Sequence, residues 1–324
     1  MSFTKIGPFL QKNSTNVNLI NAPMVKLLDP SIETIKLTRA SVGPNTWIVV
    51  RKFFKYQPLT DPVGEAFDWC NIFLPYVTRG LDKRVVFEGY NEISEADTEK
   101  NALFEGVRQD FLHTYGYGGV YGNHSVGNLN NDNAKPYQGL INNFSNQDFF
   151  GWHSYWGTKA TVLNPWHTMR WSLIDLLKDV PAFITECGRD YVKDKNLPQD
   201  QWGRRGWKLG GISEADYLTE ISTFSDALDT SPNIAGAALF LVGPCESQWN
   251  NYQSEEVYRK IKLRQQGNYF YEGGVVEPLP PVVDPEDEIK KLLDASRIQL
   301  TEAQKLIGDA ENNLTTLEKL FYGK

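Results

Sequence analysis

Along about the first 270 residues, short runs of β-branched, aliphatic and aromatic residues alternate with longer stretches in which apolar residues recur every three or four positions. The short runs predict eight strands: TKIGPFLQ from Thr4, APMVKLLD from Ala22, TWIVVRKFF from Thr46, RVVFEGYNE from Arg84, GGVYGNHSVG from Gly118, FFGWHSYW from Phe149, PAFITECG from Pro181 and IAGAALFLVG from Ile234. Several are apolar without interruption, as parallel strands covered on both faces should be. The longer stretches predict helices, among them PSIETIKLTRASV with Pro30 in its first turn, EADTEKNALFEGVRQDFLHTY, PWHTMRWSLIDLLKDV and SEADYLTEISTFSDAL. Eight βα units in about 250 residues have the size of a (β/α)8 TIM barrel. The first crossover, KNSTNVNLIN, and the fifth, around NAKPYQGLINNF, leave room only for short helices. An open doubly wound sheet is the alternative topology, but no GxGxxG phosphate loop follows the first strand.

The pattern changes at residue 273. The stretch GGVVEPLPPVVDPEDE, with four prolines and several acids, cannot continue a helix and predicts a semi-rigid linker over residues 274–285. Beyond it, residues 286–324 carry a heptad pattern: Leu293, Leu300, Ile307, Leu314 and Phe321 form one row, and Ile289, Ser296, Ala303, Ala310 and Leu317 the other. Leu292, Leu306 and Leu320 widen the stripe, which favours a coiled coil of three or more strands or a helix lying back on the barrel. The linker favours the first, a homo-oligomer through the C-terminal helix, possible as a trimer.

The chain of 324 residues is 41% hydrophobic and 23% charged, enough to bury a large core. A net charge of −7 without a basic cluster argues against nucleic-acid and anionic-membrane partners. Cys70, Cys187 and Cys245 are too far apart for CxxC zinc spacing and read as buried free thiols. The four histidines are scattered, with no HExxH or EF-hand spacing, so no metal site is expected. The start, MSFTKIGPFLQKN, lacks a basic segment followed by an apolar run, and IAGAALFLVG is too short to span a bilayer. A soluble protein, cytoplasmic or virion-associated, is the expectation. Nine Trp and fifteen Tyr suit either a core or the stacking faces of a sugar site.

In a (β/α)8 barrel the site lies at the carboxyl ends of the strands, and polar residues gather there. Strand four ends in Asn91 and Glu92, strand six in His153, Tyr155 and Trp156, strand seven in Glu186, and strand three offers Arg51. With EGYNE on strand four, FITECG on strand seven and HSYW on strand six, the chain resembles clan A of the retaining glycoside hydrolases over the barrel, and not over the C-terminal helix. The resemblance implies Glu92 as general acid/base and Glu186 as nucleophile, with Asn91 on the sugar 2-hydroxyl, Tyr155 orienting Glu186 and His153 lining the sugar site. It implies a carbohydrate substrate and no cofactor. The residue types fit that chemistry, because retention needs one carboxylate to attack the anomeric carbon and a second, protonated, to release the leaving oxygen. Negative Glu186 would help keep Glu92 protonated.

Two departures from the family pattern stand out. The family's early-strand arginine has no counterpart in VKLLDP, where Arg51 on strand three is the nearest candidate, and Trp249 comes several residues after strand eight, where an aromatic platform is expected. Asp29, Glu88 and Glu246 are further carboxylates able to enter the site, while His124 reads as structural. The alternatives, which the pattern favours less, are that Glu92 starts a helical turn and that Glu186 caps a helix or pairs with Arg189. A rival reading of another class keeps the barrel for recognition alone: a non-catalytic carbohydrate-binding or structural protein, such as a component of a viral particle or surface appendage.

Overall fold

A computed structural model describes residues 3–12, 17–191 and 206–265 of the chain. Eight parallel strands close into a barrel in sequence order: β1 (Ile6–Leu10), β2 (Met24–Leu28), β3 (Trp47–Arg51), β4 (Val85–Glu88), β5 (Gly119–His124), β6 (Phe149–Trp156), β7 (Ala182–Arg189) and β8 (Ile234–Leu239). Ile6 of β1 lies in register with Ala237 of β8, which completes the ring and rules out the open sheet. Each strand falls in the apolar run that predicts it, β7 passing its run by one residue.

The helices are α1 (Ile32–Ser41), α2 (Pro62–Val77), α3 (Thr98–Thr114), the short α4 (Asn131–Ala134) and α5 (Gln138–Asn142), α6 (Glu214–Asp229) and α7 (Glu255–Gln265). Side-chain caps set several starts: Ser31 Oγ accepts from Thr34 N at 3.1 Å, Asp61 Oδ1 from Gly64 N at 3.1 Å, and Ser213 Oγ from Asp216 N at 3.1 Å. Because Ser31 is the cap, Pro30 precedes α1 rather than lying in its first turn. Pro62 does occupy the first turn of α2.

One predicted helix is absent. PWHTMRWSLIDLLKDV forms turns and a short 3₁₀ segment over Arg170–Leu173. Its buried apolar residues, Trp171, Ile174, Leu177 and Val180, repeat every third position, the period of 3₁₀ turns rather than of an α-helix. Ties to neighbouring loops hold it there: Arg170 Nε donates to Leu129 O at 2.8 Å, and Ser154 Oγ to Thr168 O at 2.8 Å. The fifth crossover holds only α4, α5 and a turn between them, and residues 17–23 of the first contain no helix. The expected linker and heptad helix, residues 274–324, lie outside the described residues. Among the described residues no helix is long and apolar enough to cross a membrane.

Two apolar layers follow from strand alternation. Inside the barrel, each strand gives one residue to a shared cluster: Phe9, Met24, Val49, Val86, Val120, Phe149, Phe183 and Ala238. Outside it, the opposite faces meet the helices, with Trp69, Phe73, Phe104, Trp171, Ile221 and Phe224 among the buried contacts. At the amino-terminal end of the barrel, α7 ties down the floor: the Lys262 ammonium bonds Ile20 O, and Gln265 Nε2 donates to Phe3 O and to Ile6 O, the latter at 3.2 Å.

Candidate active site

The inward rows turn from apolar to charged toward the carboxyl ends of the strands. Two residues past Met24, Val49 and Val86 come Lys26, Arg51 and Glu88, on the same inward face by strand alternation. On β6 the inward row runs Phe149, Gly151, His153, Tyr155. On β7 simple alternation from Phe183 would send Thr185 inward and Glu186 outward. A register shift prevents this, since Trp152 pairs with Ile184 but the next residue, His153, pairs with Glu186. That bulge aims Glu186 into the barrel, a common use of bulges beside functional sites.

Glu186 is buried and four donors surround it. Arg51 Nη1 lies 2.7 Å and Lys26 Nζ 3.2 Å from Oε1, while the Tyr155 hydroxyl donates to Oε2 at 2.9 Å and His153 Nδ1 is 3.6 Å from Oε2. Burial pushes this carboxyl up. The charges of His153, Lys26 and Arg51 and the Tyr155 bond outweigh it, and hold Glu186 well below the usual carboxylate range. Burial first, and then the negative Glu186, push the Tyr155 phenol well above its ordinary value, so it stays a donor.

Glu92 reaches the same place from a loop. β4 ends at Glu88, so Asn91 and Glu92 follow the strand rather than ending it. Glu92 has φ +51° and Asn123, in the irregular part of β5, φ +48°, both in the left-handed region that costs non-glycine residues energy. These turns are held by Glu92 N donating to Asn123 O at 2.9 Å. Gln57 clamps the adjacent peptide, donating to Asn91 O at 2.9 Å and accepting from Asn91 N at 2.6 Å. The Tyr90 hydroxyl donates to Glu65 at 3.2 Å, and the Tyr90 ring stacks on Phe104.

The result is a meeting of the two glutamates at one atom. His153 Nδ1 lies 2.9 Å from Glu92 Oε1 and 3.6 Å from Glu186 Oε2, so these two oxygens are separated by no more than the sum, 6.5 Å. Facing two carboxylates, Nδ1 carries the ring proton and donates it. The Glu92 side chain is 41% exposed and that of Glu186 9%, so the first stands at the solvent side and the second is largely shielded.

Other candidates fall elsewhere. Trp156, expected to touch substrate, points outside the barrel: it is buried, its Nε1 donates to Glu220 Oε2 at 2.8 Å, and its ring meets Phe224. Strand alternation from the inward Tyr155 requires this. Trp156→Phe should therefore cost about 2 kcal/mol in a denaturant melt, the worth of a hydrogen bond to a buried charged group, and leave ligand affinity unchanged. Trp249 is half-buried in a turn after β8, packed on Phe240 and Tyr252 at 5.5 and 5.9 Å. The aromatic directly following β8 is Phe240, half-buried and 6.1 Å from the Tyr155 ring, a residue the sequence reading passed over. Arg51 faces Glu186 rather than open space.

Asp29 Oδ1 accepts from Phe53 N at 2.9 Å, Glu246 is exposed, and His124 is buried against the Tyr137 hydroxyl at 2.9 Å. Burial lowers the His124 imidazole to about 4. The three cysteines are free thiols; Cys70 and Cys187 are buried as expected, whereas Cys245, in the turn after β8, is only half-buried. Among the described residues, no cluster of His, Cys, Asp and Glu is placed to hold a metal ion. Lys26, Glu88 and Gln57 are the further polar residues at the site. A lysine alone in the apolar MVKLL was a visible signal for the first.

No family model and no curated protein sequence matches the chain. Among solved structures it is similar to a triple mutant of an endo-β-1,4-glucanase from Xanthomonas axonopodis pv. citri, at 11% identity and TM-score 0.47 over 81% of this chain and 99% of that one. It is also similar to an endo-β-1,3-glucanase from Amycolatopsis mediterranei in complex with laminaritriose, at 12% identity and TM-score 0.43 over 80% and 99%. A third is the catalytic domain of a mannanase from Streptomyces sp. SirexAA-E, at 14% identity and TM-score 0.40 over 69% and 68%. Likeness at this level carries no argument about chemistry.

Proposed function

We propose that this protein is a retaining glycoside hydrolase acting on β-linked oligo- or polysaccharides, with Glu186 as nucleophile and Glu92 as acid/base. The carrying observation is the shared contact of both carboxylates with His153 Nδ1, which limits their nearest oxygens to a separation of 6.5 Å. Double displacement uses carboxyl groups about 5–5.5 Å apart, whereas inversion needs about 6.5–9.5 Å to admit a water between them.

The roles follow from the contacts. Glu186 is ionised, with Oε1 occupied by Lys26 and Arg51, which leaves Oε2 to attack the anomeric carbon. Tyr155 steadies Oε2 through its hydroxyl. Glu92, at the solvent side, protonates the leaving oxygen and then takes a proton from the water that releases the sugar. Asn91 Oδ1 is buried without a protein partner among the described residues and is free to accept from a sugar hydroxyl. Phe240, next to the Tyr155 ring, and Trp249, packed on Phe240, offer apolar ring faces.

The test is a screen of aryl β-glycosides and polysaccharides, with Glu186→Gln as control and the anomer of the first product read by NMR. Retention supports the assignment. An inverted product refutes it, and saturable sugar binding without turnover returns the chain to the carbohydrate-binding reading.

The C-terminal segment enters the proposal from its sequence. The heptads of residues 286–324 form a homo-oligomer, joined to the 1–273 barrel by the 274–285 linker. Light scattering should find a multiple of the chain mass for the full protein and one chain mass for a protein ending at residue 273. Equal masses per chain in both would remove the oligomer.

A further inference from the structure

Lys26 is fully buried in the middle of β2, and its ammonium lies 2.9 Å from each oxygen of Glu88, 3.2 Å from Glu186 Oε1 and 4.7 Å from the centre of the Phe9 ring. Glu88 is itself fully buried. One lysine is thus shared by a carboxylate from β4 and one from β7. Arg51, the other cation on Glu186, sits in register with Leu28, two residues nearer the mouth than Lys26. Of the two cations, Lys26 is the deeper.

We propose that Lys26 and Glu88 are a positioning pair for Glu186: Lys26 fixes Oε1 so that Oε2 is the attacking atom, and Glu88 is the counter-ion that keeps Lys26 paired while Glu186 is esterified. This rests on Glu186 being the nucleophile. In the first step a bond forms from Oε2 to the anomeric carbon as the glycosidic bond breaks. The bonding pair stays on the leaving oxygen, which takes the Glu92 proton. Glu186 passes from anion to neutral ester and Glu92 from acid to anion, so negative charge moves away from Lys26 toward the mouth. An ammonium left beside a neutral ester in a dry interior would carry the full cost of an unpaired buried ion. With both Glu88 oxygens at 2.9 Å, Lys26 has a partner at every stage.

The pair has a kinetic signature. In Glu88→Gln, Lys26 keeps Glu186 in the free enzyme and in the intermediate has no carboxylate partner left among the described residues, so forming the intermediate should slow by about tenfold, within the range of coupled buried groups. Breaking it down should not slow, because that step restores the Glu186 charge. The same substitution made in a Lys26→Met background should have little further effect, since the cation that Glu88 balances is gone. This doubly substituted, charge-neutral protein also guards against misfolding of either single variant. Burst kinetics with an activated aryl glycoside on the wild type and three variants gives both rates. Equal slowing of both steps, or additive losses in the double variant, would overturn the proposal.

A second readout needs no turnover. The Glu186 carboxyl resonance, followed in protein labelled with ¹³C at glutamate, should titrate at higher pH in Lys26→Met than in wild type, because a cation 3.2 Å from Oε1 has been removed. An unmoved titration would show that Lys26 does not act on Glu186 and end the proposal. If the titration moves but the wild type neither turns over nor forms a covalent adduct with a 2-fluoro glycoside, the nucleophile reading fails and takes the counter-ion role with it.

Discussion

Glu186→Ala is expected to lose turnover on every glycoside by about 10⁵-fold, in line with removal of a catalytic nucleophile. No leaving-group quality should rescue it, because the atom that would carry the sugar is gone. Folding is a separate matter: Lys26 would keep Glu88, but Arg51 Nη1 would lose its 2.7 Å partner, so the variant should melt earlier than wild type. A circular dichroism melt run beside the assay separates the two effects. Residual activity above about one part in a thousand in a folded Glu186→Ala protein would end the case for Glu186.

Glu92→Ala should fail in a different manner. With a poor leaving group both steps need the carboxyl, and turnover should fall by about 10²–10⁴-fold, the usual worth of general acid–base catalysis. With an activated aryl leaving group the first step needs no proton. The aryl group should then appear in a burst, followed by slow release as the intermediate waits for a base. Azide, an anion that needs no deprotonation, should restore turnover and yield a glycosyl azide of retained configuration. Stopped-flow kinetics and product NMR measure both. Equal, complete loss in the two alanine variants would leave Glu92 without its assigned role.

The barrel was legible because buried parallel strands are continuous apolar runs, and these eight were long enough to stand out. Register was less so. Glu186 enters the barrel only through the β7 bulge, and nothing in AFITECG announces that Ile184 and Glu186 will pair with consecutive residues of β6. Trp156 was a different kind of error: its place at the end of a strand outweighed the alternation that puts it behind Tyr155. PWHTMRWSLIDLLKDV misled because a repeat of three resembles a repeat of 3.6 over so short a stretch. Gln57 was beyond reach, since its role depends on two loops far apart in sequence meeting at Asn91. Trp249 stands out in a polar turn, whereas Phe240, which directly follows β8, lies inside an apolar run.

The floor of the barrel has a practical corollary. Gln265 is bonded to Phe3 and Ile6, at the amino-terminal ends of the strands, whereas Glu92 and Glu186 open at the carboxyl ends. Force applied to the chain just beyond residue 265 therefore loads the Lys262 and Gln265 anchors first and is spread across β1 and the segment before β2, with Glu92 and Glu186 at the far end of the strands. For anyone wishing to graft this barrel onto a bead, an electrode or a scaffold, the carboxyl side of α7 is the handle that leaves the mouth unobstructed.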